Sequence, residues 1–155
     1  MNKAAKWVVC AGTVVLHGDR VLLVRQARGH SLEGQWTIPW GIVEADESPE
    51  SAAERETLEE GGIVAEIEGH LGIQNLPEAG WIAILYLCRH VSGTPTPDGG
   101  NETDAAAYFS IDQLNAHGEP IEPLSLWLTR RVLEGSYQLI PPQPENPFAP
   151  RLAFL

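Results

Sequence analysis

The stretch Gly41–Ile63, GIVEADESPESAAERETLEEGGI, decides how the rest of the chain is read. Its centre is a helix with clear ends. Ser48 suits the N-cap, Pro49 the first helical position, and Glu50 the positive end of the helix dipole. The helix is predicted to run from Pro49 to about Glu60 and to stop at the Gly61-Gly62 pair. At about 100° per residue, Glu59 lies roughly 60° to one side of Glu56 and Glu60 roughly 40° to the other. Three carboxylates therefore crowd one face, with Arg55 beside them and small Ala52 and Ala53 nearby. Like charges at this spacing weaken a helix by a few tenths of a kcal/mol per pair, and one arginine offsets only part of that. Two readings follow from the helix alone. One is a solvated acidic face stitched by an Arg–Glu pair; the other is a seat for a hard divalent cation such as Mg²⁺, which takes carboxylate oxygens and keeps some of its waters.

Outward from this helix the chain alternates between strand and turn. Trp7–Val15 and Val21–Arg25 are β-rich runs around His17-Gly18-Asp19-Arg20, predicting a hairpin. Gln35–Ile38 is a short strand candidate after the Gly29–Gly34 loop. Beyond the helix come a strand at about Ile63–Gly72, a turn at Leu76–Gly80, and a strand at Trp81–His90. Ser92–Asn101 is a loop rich in Pro, Gly and Thr. Ala106–Ser110 is a short strand candidate and Ile111–Asn115 a short helix. Ile121–Leu133 is expected to be amphipathic, with Leu124, Trp127, Leu128 and Val132 on one stripe. The elements follow no regular βαβ rhythm, which argues for a mixed sheet covered by helices on both faces.

The 155 residues suit a single domain, expected over 1–138. Residues 139–155 form a Pro-rich tail whose prolines forbid regular structure and whose apolar end is expected to pack on the domain or on a partner. No apolar run approaches the roughly 20 residues a membrane helix needs. The early Lys3 and Lys6 faintly suggest a signal peptide, but the alternating, hairpin-like segment after them argues for a cytoplasmic protein. Cys10 and Cys88 are expected to be buried free thiols, because a zinc site or disulfide framework needs more sulfur or tighter spacing. The formal net charge of −11 disfavours long nucleic acids and anionic membranes as partners. A small anionic ligand is still admissible if a divalent cation bridges it to the protein.

The flanks of the helix choose between its two readings. Gly41, Glu47, Arg55-Glu56, Glu59-Glu60 and Gly62-Ile63 are spaced as in G-x5-E-x7-R-E-U-x-E-E-x-G-U, where U is bulky and aliphatic. The stretch resembles the Nudix box. Thr57 departs at one U position, a mild change in packing. Trp36 and Pro39 before the box and NETDAAAYFSIDQL downstream are also similar to the family's pattern, so the resemblance covers most of the chain. It implies an α/β/α sandwich around a mixed sheet. It also implies a Mg²⁺-dependent hydrolase of acid anhydrides (Mn²⁺ being an alternative ion), cleaving a phosphoanhydride bond in a nucleoside diphosphate linked to another group. Family members are often dimers, and the apolar tail would suit a homodimer.

The resemblance also implies roles. Glu56, Glu59 and Glu60 would hold the metal, Arg55 would orient Glu56 and Glu59, Glu47 would anchor Arg55, and Gly41 would let the loop turn over the helix. Glu102 is the candidate for a further metal ligand from outside the box. A second glycine usually precedes the box glycine and lends its carbonyl to metal; here Trp40 stands there, keeping a carbonyl while its indole either lines the pocket or packs beneath the loop. Water attack on phosphorus needs a general base, and Glu59, Glu56 and Glu78 are all candidates. Arg25 and Arg28 are candidates for holding phosphate oxygens. Substrate choice is expected to come from Gly29–Gly34, Gln74–Gly80 and Ser92–Asn101; Pro77 lies near, but slightly off, the position of a proline marking ADP-ribose enzymes. A Nudix-fold module that senses nucleotide without cleaving it is the competing reading. A generic acidic metal-binding protein is a third, disfavoured by the lack of an EF-hand loop.

Overall fold

A computed structural model describes residues 6–147 and residue 154. The chain opens with strands β1 (Val8–His17) and β2 (Arg20–Gln26), turning through Gly18 as the hairpin reading expects. Two short strands follow, β3 (Trp36–Thr37) and β4 (Trp40–Ile42), then helix α1 (Pro49–Gly61). The long strands β5 (Ile63–Asn75) and β6 (Trp81–Gly93) form a hairpin, and β7 (Thr103–Phe109), α2 (Ile111–Asn115) and α3 (Pro123–Leu133) complete the order. The central path is β3-β2-β1-β6-β5, with β4 paired to β1 and β7 to β2. β1 runs parallel to β6 and antiparallel to β2 and β4, so the sheet is mixed.

Period-two alternation splits the core into two faces. Ala11, Val15, Leu22, Ile63, Tyr86 and Cys88 pack with Ala52 and Ala53 of α1. On the other face Val14, Leu23, Leu85 and Leu87 pack with Leu114 of α2 and with Leu128 and Val132 of α3. This is an α/β/α sandwich. Both cysteines are free and buried, one in each layer.

Local chemistry fixes the ends of the helices. Ser48 caps α1 through the Ser51 N–H, Pro49 opens it, and Gly62 closes it in the left-handed conformation at φ 69°. Helix α3 starts later than expected: Glu122 is its N-cap, accepting from the Leu124 and Ser125 N–H groups, and Pro123 is its first residue. Ile121 instead makes an isolated bridge to Trp36. The expected stripe is also corrected. Trp127 is 55% exposed with Arg131 over its ring, while Ser125, Leu128, Thr129 and Val132 form the buried stripe. At about 100° per residue, Trp127 falls a quarter-turn or more away from Leu128 and Val132, outside the buried arc.

The start of the tail lies on the domain. Ile140 exchanges two backbone hydrogen bonds with His70 on edge strand β5, at 2.8 and 3.0 Å. Leu139 fills the space above Gly69, where a Cβ would come within 2.6 Å of its Cγ. The tail residues 148–153 and 155 lie outside the described residues.

Candidate active site

Helix α1 turns Glu56, Thr57 and Glu60 toward the sheet and leaves Glu59 at its rim. Glu56 is 6% exposed and Glu60 only 1%. Each buried carboxylate has fixed donors. The Glu60 oxygens accept from the Trp40 backbone N–H at 2.9 Å and from the Gln26 side-chain amide at 3.3 Å. Glu56 accepts from Arg55 Nη1 at 2.6 Å. Burial nevertheless dominates both groups: it pushes Glu60 up to about 8, with repulsion from Glu56 and Glu102 adding to the rise, and Glu56 up to about 7, with Glu102 and Glu59 adding.

Arg55 is the organising cation. Its guanidinium binds Glu47 through two nitrogens, at 2.6 and 3.1 Å, and donates to the Ile42 carbonyl. The same side chain reaches Glu56 and, at 3.1 Å, Glu59. This paired contact holds Glu47 below the usual carboxylate range and keeps Arg55 charged throughout. Arg55 therefore stands between the loop and two box carboxylates.

Gly41 has a different reason from the expected turn. It lies in β4, opposite Ala11, with no left-handed backbone angle. A Cβ there would fall 2.0 Å from Oε1 and 2.7 Å from Oε2 of Glu56. Glycine is needed because the carboxylate occupies the side-chain space. Thr57 is accommodated just as specifically: it is fully buried, donates to the Ala53 carbonyl, and shares a 2.7 Å hydrogen bond with the buried Thr13 hydroxyl of β1.

A cavity of about 350 Å³ opens against Glu56 and Glu60. Glu44 and Glu102 also line it, so four carboxylates face one space. Glu102 is delivered by a loop tied to the helix. Asp98 accepts from the Glu102 and Thr103 N–H groups, and Thr103 Oγ donates to the Glu60 carbonyl at 2.7 Å. Among the described residues no three acidic, thiol or imidazole groups close around one ion by themselves. Mg²⁺ does not require that, since it commonly takes one or two carboxylates and fills its octahedron with water and phosphate oxygens. The all-oxygen donor set and the buried carboxylates with raised pKa values, one of them seated in the side-chain space that Gly41 leaves, fit such an ion.

Other candidates are placed as follows. Trp40 lines the acidic cavity, and its partly buried side chain packs against the core on the α3 side. Glu59 is not among the residues lining this cavity; its side chain is 56% exposed and is held by Arg55 at 3.1 Å. Glu78 lies on a neighbouring cavity and not among the residues lining this one. Arg28 is exposed and pairs with none of the described residues. Arg25 is a correction. It alternates with Gln26 along β2, so it faces away from the carboxylates and is bound by Asp104 at 2.7 Å and Glu119 at 2.8 Å, beside the Trp36 ring. That geometry makes it a structural cation and not a phosphate holder. The sequence reading missed Gln26, Trp81 and His30, which line the acidic cavity, and Asp98 and Thr103, which fix Glu102. Only Asp98, directly before Gly99-Gly100, carried a local turn signal.

The NUDIX domain model matches residues 6–128, and the chain belongs to the Nudix hydrolase family. It is 31% identical over 108 residues to a MutT-like protein of Streptomyces ambofaciens, covering 70% of this chain and 66% of that protein. It is 37% identical over 102 residues to the NAD-capped RNA hydrolase NudC of Pseudomonas aeruginosa, covering 65% of this chain and 35% of the relative. The matches thus span between about a third and two thirds of these relatives' own length. Among solved structures, a NUDIX hydrolase from Nitrosomonas europaea superposes with a TM-score of 0.71 at 28% identity, covering 87% of this chain and 94% of that one. No helix among the described residues is long and apolar enough to cross a membrane.

Proposed function

We propose that the chain is a divalent-metal-dependent pyrophosphohydrolase that splits the phosphoanhydride bond of a nucleoside diphosphate linked to another group. The observation that carries this reading is the convergence of Glu44, Glu56, Glu60 and Glu102 on one cavity while Arg55 fixes Glu56 from behind. Two buried carboxylates, Glu56 and Glu60, with the exposed Glu44 and Glu102 beside them suit a site whose resident cation is Mg²⁺ or Mn²⁺, through which a small anionic substrate binds an acidic protein. Glu56, Glu60 and Glu102 are assigned to hold the metal, with Glu59, held beside them by Arg55, completing the set when substrate is present. When bound, the ion neutralises diphosphate charge, makes phosphorus more electrophilic and acidifies water.

The protein's own residues do the rest. Gln26 and the Trp40 N–H hold Glu60 in one orientation. Arg55 holds Glu59 at the solvent side, where we assign it to take the proton of the attacking water. Arg28, exposed on the loop after β2, is the free cation assigned to phosphate oxygens. A cytoplasmic location belongs to the same reading, as the place where small nucleotides are hydrolysed.

The test is phosphate release in a coupled phosphatase assay over nucleoside triphosphates, ADP-ribose, dinucleoside polyphosphates and sugar nucleotides. We expect Mg²⁺-dependent turnover that EDTA abolishes and that Glu59→Gln lowers by about 10²–10⁴-fold. Nucleotide binding without turnover on any member would replace this reading with that of a nucleotide-sensing module.

A further inference from the structure

Far from the acidic cavity, three ring side chains meet on the α1 face of the sheet and take no part in the assigned chemistry. His17 ends β1, and His90 lies near the end of β6. Leu16 pairs with Arg89 across the parallel seam, so the next residues, His17 and His90, stand side by side on the other face. Their rings stack with centroids 4.1 Å apart and planes only 10° from parallel. Tyr108 of β7 reaches back over β2 and β1, its ring edge-on to both imidazoles and its hydroxyl 2.8 Å from His90 Nδ1.

Two imidazolium ions at this distance repel, and burial together with His17 holds His90 below the ordinary imidazole range. The neutral rings each carry a lone pair. His17 is exposed, and neither of its ring nitrogens is hydrogen-bonded to a described residue. Burial raises the Tyr108 phenol to about 12, so it stays protonated and is an oriented partner for His90. With the His90 Nδ1–H donating to that oxygen, the lone pair sits on Nε2, the arrangement a metal-binding imidazole commonly takes. A cation bonded to both rings at about 2.0–2.1 Å sets the two nitrogens roughly 3 Å apart, so the rings need close by only about an ångström. Among the described residues no acid or thiol joins the pair, and Arg20, opposite His17, turns to Asp19 at 3.9 Å. A hard ion such as Mg²⁺ therefore finds no carboxylate here.

We propose that His17 and His90 form a second cation site, taking an imidazole-preferring divalent ion such as Cu²⁺, Ni²⁺ or Zn²⁺, with Tyr108 fixing the His90 tautomer and water filling the remaining positions. The site is separate from the acidic one. His17 pairs with Arg20 at the start of β2 and Gln26 lines the acidic cavity at its other end, roughly 20 Å away at about 3.3 Å per residue. It therefore stands whether or not the chain hydrolyses nucleotides. A bound ion bridges β1 and β6 at the end of their parallel pairing and stabilises the folded chain.

The test uses the full, tag-free chain in excess Mg²⁺, which occupies the carboxylates. Ni²⁺ is titrated by calorimetry, and one equivalent of Cu²⁺ is added for electron paramagnetic resonance. One Ni²⁺ per chain and a Cu²⁺ spectrum coupled to two nitrogens are expected. His17→Ala and His90→Ala each weaken Ni²⁺ binding at least tenfold and abolish the two-nitrogen coupling. Tyr108→Phe keeps both nitrogens and weakens binding by about 10–100-fold. No binding by the wild type, or a loss of less than tenfold in either histidine variant, overturns the inference; affinity unchanged by Tyr108→Phe overturns the part given to the phenol. Should His90→Ala lose its native circular dichroism, His17→Ala at the exposed strand end decides alone.

Discussion

One methyl group at position 41 would coincide with the Glu56 carboxylate, so Gly41→Ala tests the site at the scale of single atoms. We expect metal-dependent turnover to fall at least about a hundredfold, since displacement of roughly 1 Å is enough for that, with far-UV circular dichroism unchanged. The Thr13–Thr57 pair makes an opposite kind of prediction, about stability and not chemistry. Thr57→Val leaves the Thr13 hydroxyl buried with no partner, which should destabilise the fold by about 1–3 kcal/mol in urea titrations. The double variant Thr13→Val/Thr57→Val should recover most of that loss, because no buried hydroxyl then lacks a partner. The identities and spacing of the box residues were legible in the sequence, and the resemblance pointed to Arg55 as a partner of Glu47, Glu56 and Glu59, which it contacts. The reason for Gly41 was not: spacing alone does not reveal which side chain claims the space of a missing one. Arg25 misled for a related reason, since proximity in sequence to the site says nothing about which face of β2 the side chain takes.

At the scale of elements, α1 carries two carboxylates into the interior, and this sets a pH dependence. The folded-state values of Glu56 and Glu60, about 7 and about 8, lie above the ordinary carboxylate value, so between about pH 4.5 and 8 these two groups bind more protons in the folded protein than in the unfolded chain. Their contribution to stability without metal therefore falls as pH rises through that window and levels off above it. We expect the metal-free protein to melt at a lower temperature at pH 8 than at pH 5.5, and Glu60→Gln to flatten that slope in differential scanning calorimetry. Mg²⁺ should raise the melting temperature more at pH 8 than at pH 5.5. The helix itself was legible to within a residue, because Ser48, Pro49 and Gly62 mark its ends chemically. Strand β4 was not, for its three residues are held only by pairing with β1, a partner 28–32 positions earlier. The loop carrying Glu102 was half legible: the acid stood out, but its anchoring through Asp98 and Thr103 depends on where α1 ends in space.

Over the whole molecule, the mixed sheet and its two helical layers followed from the order of elements, while the strand order depended on contacts no local pattern encodes. The tail illustrates the gap. Its prolines ruled out regular structure, yet Ile140 pairs with His70 and so covers part of the outer edge of β5. Exposed edges template association between chains. Truncation after residue 138 should therefore lower the melting temperature and produce concentration-dependent oligomers in size-exclusion chromatography, whereas Ile140→Ala in the full chain should leave the backbone pairing and the elution volume unchanged.

The parallel pairing of β1 with β6 has a consequence in time. Val8 lies beside Trp81 and Leu16 beside Arg89, so the central seam of the sheet joins positions about seventy residues apart. During synthesis the box helix leaves the ribosome well before the strand that completes the floor beneath it. Contacts of such sequence separation form slowly, because long loops must close first. For that interval the acidic residues of α1 stay in water instead of in a buried pocket, and closure of the pocket around Glu56 and Glu60 is expected late in folding.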